Sequence, residues 1–171
     1  MRRLAVGTIC VVLGLAVVCA QGQVSKAVAE LQSAAGKNVK GTVTFEQVGH
    51  HQVKVTVHVT GLEPGKHGFH IHEKGDCTAP DFTSAGGHFN PTGSPHGAPT
   101  DAKHHSGDFG NLEANSKGEA HLETTVDFLE FDGANSFVGK AVIVHAQADD
   151  LKTQPTGNAG GRAACGLIKA K

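Results

Sequence analysis

Val53-Lys54-Val55-Thr56-Val57-His58-Val59 alternates apolar and polar side chains without a fault. Successive side chains on a strand point to opposite faces, so this run reads as a half-buried β-strand. The pattern repeats on either side of it. Val39 to Phe45 alternates with Val43 and Phe45 on one face, and Leu122, Thr124, Val126 and Phe128 share a face opposite His121, Glu123, Thr125 and Asp127. Ala141-Val142-Ile143-Val144 is apolar on both faces and should lie deeper. Turn residues separate these runs at Gly61-Leu62-Glu63-Pro64-Gly65, Asn115-Ser116-Lys117-Gly118 and Asp132-Gly133-Ala134-Asn135. Short strands at such intervals predict an all-β sandwich or barrel. Val24 to Ala35 fits either a helical face or a first strand, because Val24, Val28 and Leu31 have helical spacing.

Between Gly75 and Gly110 the alternation stops, and the chain is rich in Gly, Pro, Asp and His with almost no aliphatic side chains. A loop of this length is uncommon in a compact domain unless it has a function.

The N-terminus reads as an export signal. Met1-Arg2-Arg3 supplies positive charge, Leu4 to Val18 is apolar, and Val18-Cys19-Ala20 offers a small-residue cleavage site. The alternative, a membrane anchor, is disfavoured by the shortness of the run. Cleavage after Ala20 leaves residues 21–171, a size for one domain. Lys and Arg then fall from 15 to 13 against 16 acidic residues, and the net charge moves from −1 to −3. That balance argues against nucleic acid or an anionic membrane as a main partner. Cys10 and Cys19 leave with the signal, and Cys77 and Cys165 remain as a matched pair for an oxidising compartment, with two buried free thiols as the alternative.

Of the 12 histidines, His50 and His51 fall in a predicted hairpin turn, His58 and His121 fall on the polar faces of their strands, and His67 opens a strand. All five read as ordinary surface residues. His70-Ile71-His72 differs, because side chains two apart on a strand project from one face and can share an ion. His88, His96, His105 and Asp108 follow in the loop that lacks apolar residues, where metal ligation can supply the order that burial does not. His145, at the end of the buried 141–144 run, needs a partner. An all-imidazole set suits copper, and three imidazoles with a carboxylate suit zinc. Six His and one Asp cannot fill two four-coordinate sites separately, so one His must bridge through both ring nitrogens. The spacing leaves open which one.

The motifs Gly68-Phe69-His70-Ile71-His72-Glu73, Ser84 to Pro91, His96-Gly97, His105 to Asn111 and Gly157 to Gly166 resemble copper/zinc superoxide dismutases, and the likeness runs from about Ala27 to the C-terminus. The resemblance implies a Greek-key β-barrel of sandwich type, with a strand at Ala27 to Leu31. It implies an antioxidant oxidoreductase that converts superoxide to dioxygen and hydrogen peroxide by cycling copper between two oxidation states, with zinc as a structural ion. Copper would be held by His70, His72, His88 and His145, and zinc by His88, His96, His105 and Asp108, which makes His88 the bridge and a catalytic residue. Asp149 would link ligand imidazoles of the two sites, Arg162 would hold the substrate anion, Thr156 would line the channel, and Cys77 would pair with Cys165. A periplasmic or extracellular location and a homodimer are further expectations.

Two features depart from the cytosolic animal enzymes. Cys77 follows His72 earlier, with Phe82 near their Cys position, as in bacterial members. Leu151 to Thr156 is shorter than their charged loop and lacks its acidic pair, so guided substrate approach does not carry over, and Lys152 is left to play part of that role. Two other classes compete. A non-catalytic copper-binding or copper-delivery domain of the same fold usually lacks a copper ligand, and a His-rich zinc buffer needs neither the H-x-G-D spacing nor a buried His145.

Overall fold

The computed structural model describes residues 24–171, so the expected signal at 1–20 lies outside the described residues. Eight strands form one antiparallel sheet: β1 (Lys26–Ser33), β2 (Lys40–Gly49), β3 (Gln52–Thr60), β4 (Gly65–His72), β5 (Asp108–Ala114), β6 (Ala120–Val126), β7 (Ala141–His145) and β8 (Arg162–Ala170). Their spatial order is β5-β4-β7-β8-β1-β2-β3-β6. The sheet curls into a nearly closed barrel whose open seam lies between β5 and β6. β6 returns beside β3 and β7 beside β4, which are Greek-key connections. The ambiguous first segment is a strand, because Ala27, Ala29 and Leu31 fill the core from β1.

The alternation at 53–59 does what its period requires. Val53, Val55, Val57 and Val59 are each 1% exposed or less, while His58 and Thr60 face solvent. Phe45, Phe131 and Phe137 pack at ring separations of 4.9 Å, and Phe69 lies 5.4 Å from Phe109. Such pairs add about 0.5–1.5 kcal/mol each to the gain from burial.

β7 is apolar on both faces because both are covered. Val142 and Val144 belong to the barrel core, whereas Ala141 and Ile143 pack outside it with Phe82, Ala85 and Cys165. The covering layer is the long loop between β4 and β5, whose only helical element is the 3₁₀ turn Thr83–Ala85. β4 follows the same logic. Phe69 and Ile71 point into the barrel core, and His70 and His72 alternate to the other face.

Cys77 and Cys165 form a disulfide that closes a span of 88 residues and ties the start of the loop to β8. Three backbone hydrogen bonds lace the rest: Ile71 N–H to Gly107 O, Phe89 N–H to Ile71 O, and Gly107 N–H to Phe89 O, at 2.8–2.9 Å. A Cβ on Gly107 would stand 2.2 Å from the Ile71 carbonyl oxygen, so only glycine allows this approach. Replacing both Cys77 and Cys165 with Ser should lower the stability of the metal-free protein by about 3–5 kcal/mol, because the unfolded chain regains loop entropy. Denaturant unfolding of the two metal-free proteins under non-reducing conditions measures this, and equal midpoints would exclude it.

Candidate metal centre

The laced loop lies over the outer face of β4 and β7, and the buried polar side chains collect there. His70, His72, His88 and His145 each bring a ligand atom within 4.8 Å of the others, and so do His88, His96, His105 and Asp108. All seven are buried, and His88 belongs to both groups. The structure thus brings together the seven residues expected from the sequence, with His88 the member common to both groups.

In the first group, one nitrogen of each of three rings is anchored on an acceptor. His70 Nε2 lies 2.7 Å from Asp149 Oδ2, His72 Nδ1 is 2.9 Å from the Gly86 carbonyl, and His145 Nδ1 is 3.2 Å from the Gly160 carbonyl. Each anchored nitrogen donates its N–H, which leaves a lone pair on the other. Those others, His70 Nδ1, His72 Nε2 and His145 Nε2, have no hydrogen-bond partner although buried, and neither has His88 Nε2. Unpaired buried polar atoms are costly. Four such nitrogens in one cluster, with no carboxylate among them, fit a copper ion.

The second group forms on the far side of His88. His88 Nδ1 lies 2.8 Å from Asp108 Oδ1, His105 Nδ1 lies 3.3 Å from that oxygen and 3.3 Å from His88 Nδ1, and His96 Nδ1 is 3.1 Å from Asp108 Oδ2. The His96 contact is close but misaligned, and its Nδ1 has no hydrogen bond. Asp108 is held in place by the backbone N–H groups of His105 and Gly97 on Oδ2. Three imidazole nitrogens and a carboxylate around one point match a tetrahedral zinc site.

Asp149 joins the two groups, since its second oxygen accepts from His96 Nε2 at 3.0 Å. Its own position is fixed by Asn111, whose Oδ1 accepts the Asp149 N–H at 2.7 Å and whose Nδ2 donates to the Asp149 carbonyl at 2.9 Å. Gly157 lies against this junction with φ +68°, and a Cβ there would fall 1.8 Å from Asp149 Oδ1. Thr156, the expected channel residue, is half-buried next to it. The Arg162 guanidinium donates to the carbonyls of Phe82 and Gly86. Arg162 is the β8 partner of His145 in the β7–β8 register, and the Gly86 carbonyl it binds also accepts from His72, so it stands beside the four-histidine group.

One expectation is corrected. His67 is not a surface residue but is 4% exposed, with Nε2 2.8 Å from the Glu63 carbonyl and Nδ1 2.8 Å from that of His145. It fixes the backbone of a ligand. Spacing gave no sign of this, because a His that binds two carbonyls looks in sequence like any other His at a strand start. Gly86 and Asn111 also act on the site through hydrogen bonds and were not singled out.

The model of the copper/zinc superoxide dismutase family matches residues 39–168. The chain belongs to that family. It is 48% identical over 149 residues to superoxide dismutase [Cu-Zn] 2 of Brassica juncea, an alignment that covers 84% of this chain and 96% of the relative. A solved structure described as that of the clock protein EA4 superposes with a TM-score of 0.80 at 39% identity, covering 87% of this chain and 96% of the other. The cofactors of the present chain are the copper and zinc of its family, which the two clusters fit.

Burial dominates the proton affinities of the metal-free centre. It pushes His145 down to about 3 and His88 to about 4, the latter against the pull of Asp108, and holds His72 well below the usual range. Burial also opposes charge on His96, but the Asp108 and Asp149 carboxylates outweigh it and raise His96 to about 9. Both acids remain well below the carboxylate range, since their bonds to imidazoles overcome desolvation. Groups with depressed pKa bind protons more readily unfolded, so their contribution is complete above 6.5 and is lost as pH falls toward 4 and 3. His96 does the reverse: its contribution is complete below 6.5 and is lost as pH rises through about 9. Metal-free protein should therefore be most stable near pH 6.5 and weaken on both sides. Denaturant midpoints across pH check this, and a flat profile between pH 4 and 9 would contradict it.

Proposed function

We propose that the protein dismutes superoxide: two superoxide anions and two protons become one dioxygen and one hydrogen peroxide. The observation that carries this reading is the set of four unpaired imidazole nitrogens beside a fixed guanidinium. In this reading His70, His72, His88 and His145 hold copper, and His88, His96, His105 and Asp108 hold zinc. A copper ion held there would supply the one-electron redox couple that superoxide dismutation requires.

The chain's own side chains do the rest. Arg162 spends two donors on carbonyls and keeps the remaining guanidinium N–H groups for an anion. His88 keeps Nδ1 on the Asp108 side, so Nε2 is the atom able to hold a proton for the product without the ring turning away. Asp149 fixes the tautomers of His70 and His96. In this reading half-buried Thr156 would line the approach to Arg162, and exposed Lys152 would add positive charge in the 151–156 segment.

A copper-delivery domain on this fold is disfavoured, because all four copper-type ligands and Arg162 are present together. Protein loaded with one equivalent each of copper and zinc should retain both, lose superoxide turnover when copper alone is removed, and regain it on copper addition. Zinc alone with no activity would sink the proposal. Arg162→Ala with metals retained should cut turnover by about tenfold or more, a loss of the order of 1.4 kcal/mol in transition-state stabilisation. Unchanged turnover would remove Arg162 from the reaction.

Residues 1–20 are further proposed as a cleavable export signal and 21–171 as the mature domain, delivered to a periplasm or the cell exterior. The charged start, the apolar run and the Cys77–Cys165 disulfide support this. Both metal groups come from a single chain, so a homodimer is not needed to complete them. The exported protein should begin at Gln21, which N-terminal sequencing reads directly, and retention of Met1-Arg2-Arg3 would count against it.

A further inference from the structure

Strands β3 and β6 contribute no ligand to either metal group, yet they bring two more imidazoles together on the outer face of the barrel. His58 and His121 are direct cross-strand partners in the β3–β6 register. Their ring centroids lie 4.4 Å apart, and their Nδ1 atoms are separated by 3.2 Å. Both are exposed, at the end of the inward-outward alternation that buries Val57, Val59 and Ala120. They line a shallow depression with Thr60, Asn115 and Glu119, in which Glu119 is the one charged side chain.

The geometry points to a third metal site at His58 and His121, one that takes a borderline divalent cation, copper(II) most tightly. Two imidazole nitrogens on one ion at about 2.0–2.1 Å stand about 2.9 Å apart at right angles and about 3.4 Å apart in a tetrahedron. The observed 3.2 Å lies inside that window. With the ring protons on Nε2, both Nδ1 lone pairs face one another at this separation and can hold a cation between them. His121 Nδ1 also lies 3.1 Å from the Val57 carbonyl, a contact that a small rotation of this exposed ring gives up. The strands fix both Cα positions, so binding orders only side-chain torsions. Water completes the coordination at this exposed position, and the Glu119 carboxylate, which accepts from Asn115 Nδ2 at 3.1 Å, adds negative charge to the same depression. Imidazole ligands favour copper(II), nickel(II) and zinc(II) over magnesium and calcium, and the affinity order places copper(II) first.

The test uses protein whose two buried sites already hold copper and zinc, titrated with copper(II) sulfate and followed by calorimetry and amide line broadening. Wild-type protein should bind one further equivalent, with broadening centred on residues 57–59 and 120–122 and no effect of excess magnesium. His58→Gln and His121→Gln should each weaken that equivalent at least tenfold while superoxide turnover stays unchanged, which also shows that the variants fold. The neighbouring exposed pair in the β2–β3 turn is the control, and His50→Gln/His51→Gln should leave the third equivalent intact. The assignment is overturned if wild-type protein binds no further equivalent, if the equivalent survives in His58→Gln/His121→Gln, or if it disappears in His50→Gln/His51→Gln.

Discussion

Lone pairs buried without partners are the constraint on which this molecule is organised. Four imidazole nitrogens from two strands and a loop are removed from water and aimed at one another, an arrangement that repels proton and solvent alike. Such a cluster persists only because the opposite nitrogen of each ring is occupied. The carbonyls of Gly86 and Gly160 and the Asp149 carboxylate each accept from one side, and this decides which atom of His72, His145 and His70 faces inward. The tautomers are set before any ion arrives. A cation then replaces mutual repulsion with coordination, so the binding energy is not spent on rearranging ligands.

The barrel supplies the rigid half of the site and the long loop the adaptable half. β4 and β7 are filled from inside by Phe69, Ile71, Val142 and Val144, which locks the outward direction of His70, His72 and His145. The loop has little hydrophobic content of its own and is fixed instead by the disulfide, by the Ile71, Phe89 and Gly107 backbone bonds, and by the small cluster around Phe82 and Cys165. Asp149 works across this division, since it holds a strand histidine with one oxygen and a loop histidine with the other.

How much of this could be read from sequence follows from the range of each interaction. Strands with one wet face announce themselves by alternation, and β2, β3 and β6 were legible for that reason. β5 and β8 were not, because Gly110, Cys165 and Gly166 interrupt the pattern and both strands are buried along most of their length. β5 begins at Asp108, inside the stretch that looked like loop, since pairing with β4 across a bulge brings Asp108 opposite His70. The ligands were legible as residue types, because metal chemistry restricts which side chains can serve. Groups that hold those ligands were less so. His67 and Gly86 act through backbone carbonyls, and a carbonyl has no letter in the sequence.

The Gly86 carbonyl has a consequence beyond its part in the tautomer of His72. The same oxygen accepts from Arg162, so the Arg162 guanidinium and the His72 imidazole are registered to a single atom of the loop. Displacing that peptide moves both at once. A change at this one peptide is therefore felt at the His72 imidazole and at the Arg162 guanidinium together.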